Sequence, residues 1–469
     1  MSKKHITPVF TGSLIVSLIL VLLGIIVPRG FQSWTQILRE QVSTNFGWLY
    51  LLLVTSILAL CVFFIMSPLG QIRLGQPHSR PEYSTVSWIA MMFSAGMGIG
   101  LVFYGAAEPL SHFAISTPGA PKESQTALAD AFRFTFFHWG IHAWAVYALV
   151  ALALAYFGFR KQEKYLLSVT LKPLFGDKTD GWLGKIVDIT TVVATVIGVA
   201  TTLGFGAAQI NGGLSFLLGV PNNAFVQIVI ILITTALFVM SALSGLGKGV
   251  KILSNLNLIL AVALLALVIV LGPTVRIFDT LTESLGSYLQ NFFGMSFRAA
   301  AFDNTKRSWI DNWTIFYWAW WISWSPFVGV FIARISKGRS IREFLTVVLL
   351  IPTLLSFVWF AAFGTLSTQV QQLGTNLTKF ATEEVLFATF NHYTLGWLLS
   401  IIAIILLLSG GLLALQNVLI IVALPFSFVM ILMMLALLVE LFHEKKEMGL
   451  SISPDRYPRK NEPFKSYEE

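Results

Sequence analysis

The chain has 469 residues, of which 56% are hydrophobic and only 12% charged, and its mean hydropathy is +0.76; soluble domains carry about a quarter of their residues as charges. This composition excludes a soluble globular domain, and with no alternating-strand signature of an outer-membrane barrel it indicates an all-α polytopic membrane protein. The net charge of +8 reads as Lys and Arg gathered in cytoplasmic loops rather than as a nucleic-acid surface, and one cysteine, Cys61, gives no disulfide framework.

A bilayer core of about 30 Å needs roughly 20 apolar residues per helix. Such runs fall near 10–28, 46–67, 84–106, 134–157, 186–219, 225–244, 252–273, 312–333 and 343–365, followed by one long block at 396–441. The first run ends at Ile-Ile-Val-Pro-Arg without a small-residue cleavage site, so it is read as an uncleaved span. Lys3, Lys4, Arg73, Arg80, the basic segment 158–185, Lys248, Lys251 and the basic segment 334–342 mark alternate loops and put the N-terminus in the cytoplasm. Residues 277–295 look amphipathic and are expected along the membrane surface. The last block poses a parity conflict. The charge pattern requires an odd number of crossings between 366–394 and the basic tail from His443, whereas about 46 helical residues suit two spans. Either the block holds one crossing plus a re-entrant or surface piece, or a segment is missing.

In the third span, SWIAMMFSAGMGIGLVFYGAAEPL, Gly96, Gly98 and Gly100 each weaken helix by about 1 kcal/mol relative to Ala. Gly96 to Gly100 has the spacing of close helix packing, but three glycines in five residues favour a discontinuous helix whose freed backbone groups bind ions and substrate. In the fourth span, FHWGIHAWAVY, Trp139, Trp144 and Tyr147 share an arc of about 140°. The segment WAWWISWSPF at 318–327 places four tryptophans in seven positions. Trp320, Trp321 and Trp324 fall within about 100°, with Trp318 about 60° beyond. An interfacial belt is the ordinary explanation of membrane tryptophan, but this cluster runs toward the span centre and is followed by Pro326, which removes a backbone hydrogen bond. Two aromatic faces suit a quaternary ammonium, which has no N–H to donate and binds through cation–π attraction.

Other polar residues read more plainly. Thr195, Thr201 and Thr202 could offer hydroxyls to Na+, although bonding to their own helix is the commoner fate of membrane threonine. Glu108 and Asp188 lie near span ends and are expected to face water. His138 and His142 flank Trp139, but with no third ligand or carboxylate nearby they make no metal site. There is no Walker motif, HExxH or GxSxG, so no enzyme chemistry is expected.

At GMGIG (96–100) and WAWWISWSPFVGVFIARISKGRSIREF (318–344) the sequence resembles the betaine/choline/carnitine transporter family, most closely its bacterial glycine betaine members, over about residues 10 to 440. The resemblance implies two inverted five-helix repeats preceded by two extra spans, as in sodium-coupled amino-acid transporters. The corresponding divisions are 1–83 (tail and first two spans), 84–273 (first repeat), 274–311 (surface helix and loop), 312–441 (second repeat) and 442–469 (cytoplasmic tail). It implies that Trp139, Trp144, Tyr147 and Trp321 form a trimethylammonium box, and that Trp318, Trp320, Trp324 and Phe327 line the pathway. Gly96, Met97, Gly98 and Gly100 would meet the substrate carboxylate. Na+ would be held by backbone oxygens of Ala95 and Met97 and, at a second position, by Thr195 and Thr202, with Val199 where some members carry threonine. It further implies a homotrimer in the bacterial cytoplasmic membrane, no cofactor beyond Na+ as coupling ion, and a subunit interface along 277–295. One departure is expected. The Ser/Thr-rich tenth span of the family has no counterpart, and about one span's worth of residues is missing near 408, in agreement with the parity conflict. The function implied is Na+-coupled uptake of glycine betaine or a related osmoprotectant by alternating access. A sodium-independent carnitine-type exchanger and a transport-impaired binding or osmosensing variant remain as alternatives.

Overall fold

The computed structural model describes residues 7–96, 99–243, 251–407 and 416–448. Among these the regular secondary structure is helical, with loops and turns between the helices and no strand. Thr7 caps α1 (Pro8–Ile26) by accepting the Phe10 N–H, with proline at the first helical position. Pro28 restarts the chain as α2 (Pro28–Met66), a 39-residue helix. The glycine-rich third span is described as α3 (Thr85–Gly96) and α4 (Ile99–Leu110); Met97 and Gly98 between them lie outside the described residues.

The fourth expected span is also two helices, α5 (Gln125–Trp139) and α6 (Ile141–Ala155), parted at Gly140. A Cβ there would come within 2.4 Å of the Phe136 carbonyl oxygen, so only glycine permits the turn. The short α7 (Lys172–Phe175) precedes α8 (Trp182–Leu218), α9 (Ala224–Leu243) and α10 (Lys251–Leu271). The chain then bends by 109° into α11 (Thr274–Gln290), which packs on α5 and leaves Val275, Phe278 and Leu289 exposed. This is the amphipathic segment expected at the surface. After α12 (Phe292–Ser296) and α13 (Asn304–Asn312) come the tryptophan helix α14 (Thr314–Ile335) and α15 (Ile341–Gln372).

The terminal block begins beyond α16 (Val385–Phe390) and divides into α17 (Gly396–Leu407) and α18 (Gln416–Met448). α17 is described over 12 residues, up to the edge of the described segment. It is seated against α8 and α10, whereas α18 has 33 residues and is of full span length. Residues 408–415, where the missing segment was expected, lie outside the described residues.

Seven helices among the described residues are long and apolar enough to cross a membrane, and the bent pair of α10 and α11 would make an eighth. The center of the molecule is α6, in which every residue from His142 to Ala155 is buried, packed on α14, with α2, α15 and α18 around the pair. On the peripheral α1 only Ser13 is buried, as befits a helix facing lipid.

Candidate functional site

Rings from α5, α6 and α14 meet where the expected box lies. Trp321 touches the other three. Its ring center is 5.5 Å from Trp139 at 82°, 5.9 Å from Trp144 and 4.9 Å from Tyr147. All four are buried. Three helix segments are needed because Gly140 ends α5 just after Trp139 and lets α6 present Trp144 and Tyr147 beside it. The indole N–H of Trp321 donates to the His138 carbonyl at 3.1 Å. That of Trp144 is buried without an acceptor among the described residues, so it is a donor free for a ligand.

Gly100 brings the glycine-rich span against this cluster. A Cβ on it would lie 2.7 Å from Trp139 Cη2 and 2.8 Å from Trp320 Cη2, so α4 approaches both rings as only glycine allows. Trp320 donates its N–H to the Thr202 hydroxyl at 3.2 Å and Trp324 donates to the Gly198 carbonyl at 2.8 Å. Trp318 turns the other way, into the core against Phe137 and His142. Phe327 is half exposed and packs on Trp324. Of the expected ion ligands, Thr195 donates to the Thr191 carbonyl at 2.8 Å, the ordinary bond of a helical threonine, while Thr202 faces Trp320. Ala95 belongs to α3, and Met97, like Gly98, lies outside the described residues.

The sequence reading missed the most strongly bound polar group. Glu108, expected to face water, is fully buried. Its Oε1 lies 2.7 Å from His138 Nδ1 and 3.3 Å from His112 Nε2, while Oε2 accepts the Trp139 indole N–H at 2.8 Å and the Tyr317 hydroxyl. His138 therefore does have a carboxylate beside it, contrary to expectation, although His142 stands apart and contacts Ser296 at 2.9 Å. One atom each of Glu108, His112 and His138 lie within 4.8 Å of one another, which is metal-ligand spacing, but Oε1 is already shared by both imidazoles. An ionisable residue buried among membrane helices is expensive and marks a functional candidate, but a linear reading that ends the span at 106 places Glu108 just past it and does not show the burial. Asp188 is likewise buried rather than solvated, accepting from the Ser168 N–H at 3.0 Å and its hydroxyl at 2.8 Å.

Above the rings is a cavity of about 450 Å3 lined by Tyr104, Phe205, Trp313, Phe316, Arg39 and Glu383 among others. It lies on the side that the charge pattern assigns to the outside. Tyr104, 6.3 Å from Trp139 and 5.9 Å from Trp320 between ring centers, forms the floor between cavity and box. The opposite side is strapped shut. The Leu74 N–H donates to the Arg339 carbonyl at 2.8 Å, Gly338 N–H to the Leu74 carbonyl at 2.7 Å and Ile341 N–H to the Ile72 carbonyl at 2.9 Å.

The sequence matches the family described as BCCT, betaine/carnitine/choline family transporter, over residues 8–406 and 392–446. Residues 392–406 are thus claimed twice, as the end of one match and the start of the next. Among relatives, the "Glycine betaine transporter OpuD" of Bacillus subtilis is 48% identical over 511 residues, covering 99% of this chain and 100% of that protein. A "Glycine betaine transporter" of Acinetobacter baylyi is 40% identical over 90% of this chain and 71% of its own. The "Ectoine/hydroxyectoine transporter" of Virgibacillus pantothenticus is 38% identical over 91% and 95%. The alignment to the Bacillus protein is longer than this chain, leaving about 40 of its positions unmatched, roughly one span with its loop. A full-length family match, a relative 48% identical over nearly the whole chain and a bundle of span-length apolar helices together establish that the chain belongs to the betaine/carnitine/choline transporter family and is a multi-pass membrane transporter, not an enzyme.

Proposed function

We propose that this transporter takes up glycine betaine or a related quaternary-ammonium osmoprotectant, coupled to Na+ by alternating access, as a homotrimer. The observation that carries the reading is the junction of Trp139, Trp144, Tyr147 and Trp321 in one buried cluster. A trimethylammonium group held against such faces gains up to about 2 kcal/mol per desolvated contact. The free Trp144 N–H and the backbone groups released at the break near Gly96, Gly98 and Gly100 are available to its carboxylate. The relatives named for glycine betaine transport agree with this class. For Na+, the Thr195 and Thr202 hydroxyls, each engaged in one hydrogen bond, retain lone pairs, and Ala95 and Met97 would add carbonyl oxygens. The exposed apolar residues of α11, Val275, Phe278 and Leu289, with Phe293 beyond them, suit a subunit interface.

The cavity on one side and the strap on the other fit a carrier open outward. Radiolabelled glycine betaine uptake into proteoliposomes, with and without an inward Na+ gradient, tests the reading. Sodium-dependent accumulation is expected, and undiminished accumulation with K+ in place of Na+ refutes symport. A second reading, a binding protein whose transport cycle is impaired, is favoured by the roughly 40 alignment positions that have no counterpart in this chain; it expects betaine binding without accumulation.

A further inference from the structure

We propose that Glu108 is the positioning residue that sharpens the selectivity of the aromatic box for a cation. It fixes Trp139 in place and supplies the negative charge that the four rings lack. This inference rests on the box reading above. Ring faces already favour trimethylammonium over a neutral tert-butyl group of the same shape through their quadrupole, and a fixed negative charge behind one of them adds to that preference.

The geometry supplies such a charge. A carboxylate has about four lone-pair directions, and here each is filled, by His138, His112, the Trp139 indole N–H and the Tyr317 hydroxyl. The carboxylate sits on α4, and its donors come from the turn just after α4 (His112), from α5 (His138, Trp139) and from α14 (Tyr317), so it is rigid with respect to Trp139. None of its partners is a Lys or Arg. Each titratable neighbour can do its part uncharged. His138 reaches Glu108 through Nδ1, while its Nε2 lies 3.0 Å from the Thr314 hydroxyl and can accept from it. His112 uses only Nε2, its Nδ1 being without a partner. Tyr317 and the nearby Tyr104 are phenols. The negative charge is therefore left uncancelled on the far side of one indole from the box.

A cation against the face of Trp139 would sit about 8 Å from that charge. At an effective dielectric near 20, the attraction is worth roughly thirtyfold in affinity, and about tenfold after the polarised donors take their share. The role differs from that of the rings, because Glu108 touches the substrate only through Trp139.

The test compares equilibrium binding of glycine betaine with that of 3,3-dimethylbutanoate, its isostere with carbon in place of the quaternary nitrogen, in the full chain purified in detergent. Wild type is expected to prefer betaine. Glu108→Gln should weaken betaine by about tenfold and leave the isostere within about twofold, narrowing the ratio, while Glu108→Asp, which keeps the charge, should retain most of the preference. Equal loss for both ligands in Glu108→Gln, or a preference lost equally in Glu108→Asp, overturns the proposal by assigning Glu108 a purely structural part. If Glu108→Gln does not fold, the Asp variant alone decides, since loss of preference there with the isostere still bound refutes the charge argument. A wild type without preference for betaine would overturn the box reading first, before any variant is compared.

Discussion

Replacing Gly100 by alanine adds one methyl group at the point where the glycine-rich span meets the box. The new Cβ would stand 2.7 Å from Trp139 Cη2 and 2.8 Å from Trp320 Cη2, about 1 Å inside ordinary carbon contact. Neither ring can swing away cheaply. Trp139 is tied through its N–H to Glu108 and Trp320 through its N–H to Thr202, and both are wedged among other rings. Overpacking of this kind costs about 1–3 kcal/mol. Where relief comes from displacing Trp139, the cost falls on ligand binding as a five- to 150-fold loss of affinity. Tryptophan fluorescence titration with glycine betaine measures it. Gly286→Ala, where a Cβ meets nothing within 4 Å, is the control and should bind as wild type does. A Gly100→Ala protein with unchanged affinity would refute the claim that α4 and the rings form one site.

Two further substitutions probe the same architecture. Trp321→Ala removes the ring shared by the whole box and should weaken betaine binding at least thirtyfold, from the lost cation–π contact of about 2 kcal/mol, with Trp321→Phe between; isothermal titration showing less than a threefold loss in the Ala variant would count against the box. On the basic side, the Glu444 carboxylate receives Arg160 and the Tyr156 hydroxyl, with little exposure of either charged side chain. Breaking a buried pair from one side costs about 3–5 kcal/mol, so Glu444→Gln should lower the melting midpoint in detergent clearly, and an unchanged midpoint would show the clasp to be energetically idle.

The sequence by itself determined the class and much of the site. Helical periodicity is local, so the arcs of Trp139, Trp144 and Tyr147 and of Trp320, Trp321 and Trp324 could be read without knowing their partners, as could the amphipathic helix beginning near 277. Hydropathy and charge alternation also located the conflict in 396–441, although not that α17 is seated against α8 and α10. Only the tertiary structure decided the fate of the polar residues. Glu108 and Asp188 sit near span ends, where a linear reading cannot tell solvent from core; their burial depends on partners up to 209 residues away for Glu108 and 20 for Asp188. The same holds for Trp318, which a projection of one helix groups with its neighbours but which packs into the core because α5 and α6 occupy that side. A periodic pattern says which way a side chain points, whereas what it meets there depends on helices brought together by packing over long sequence distances.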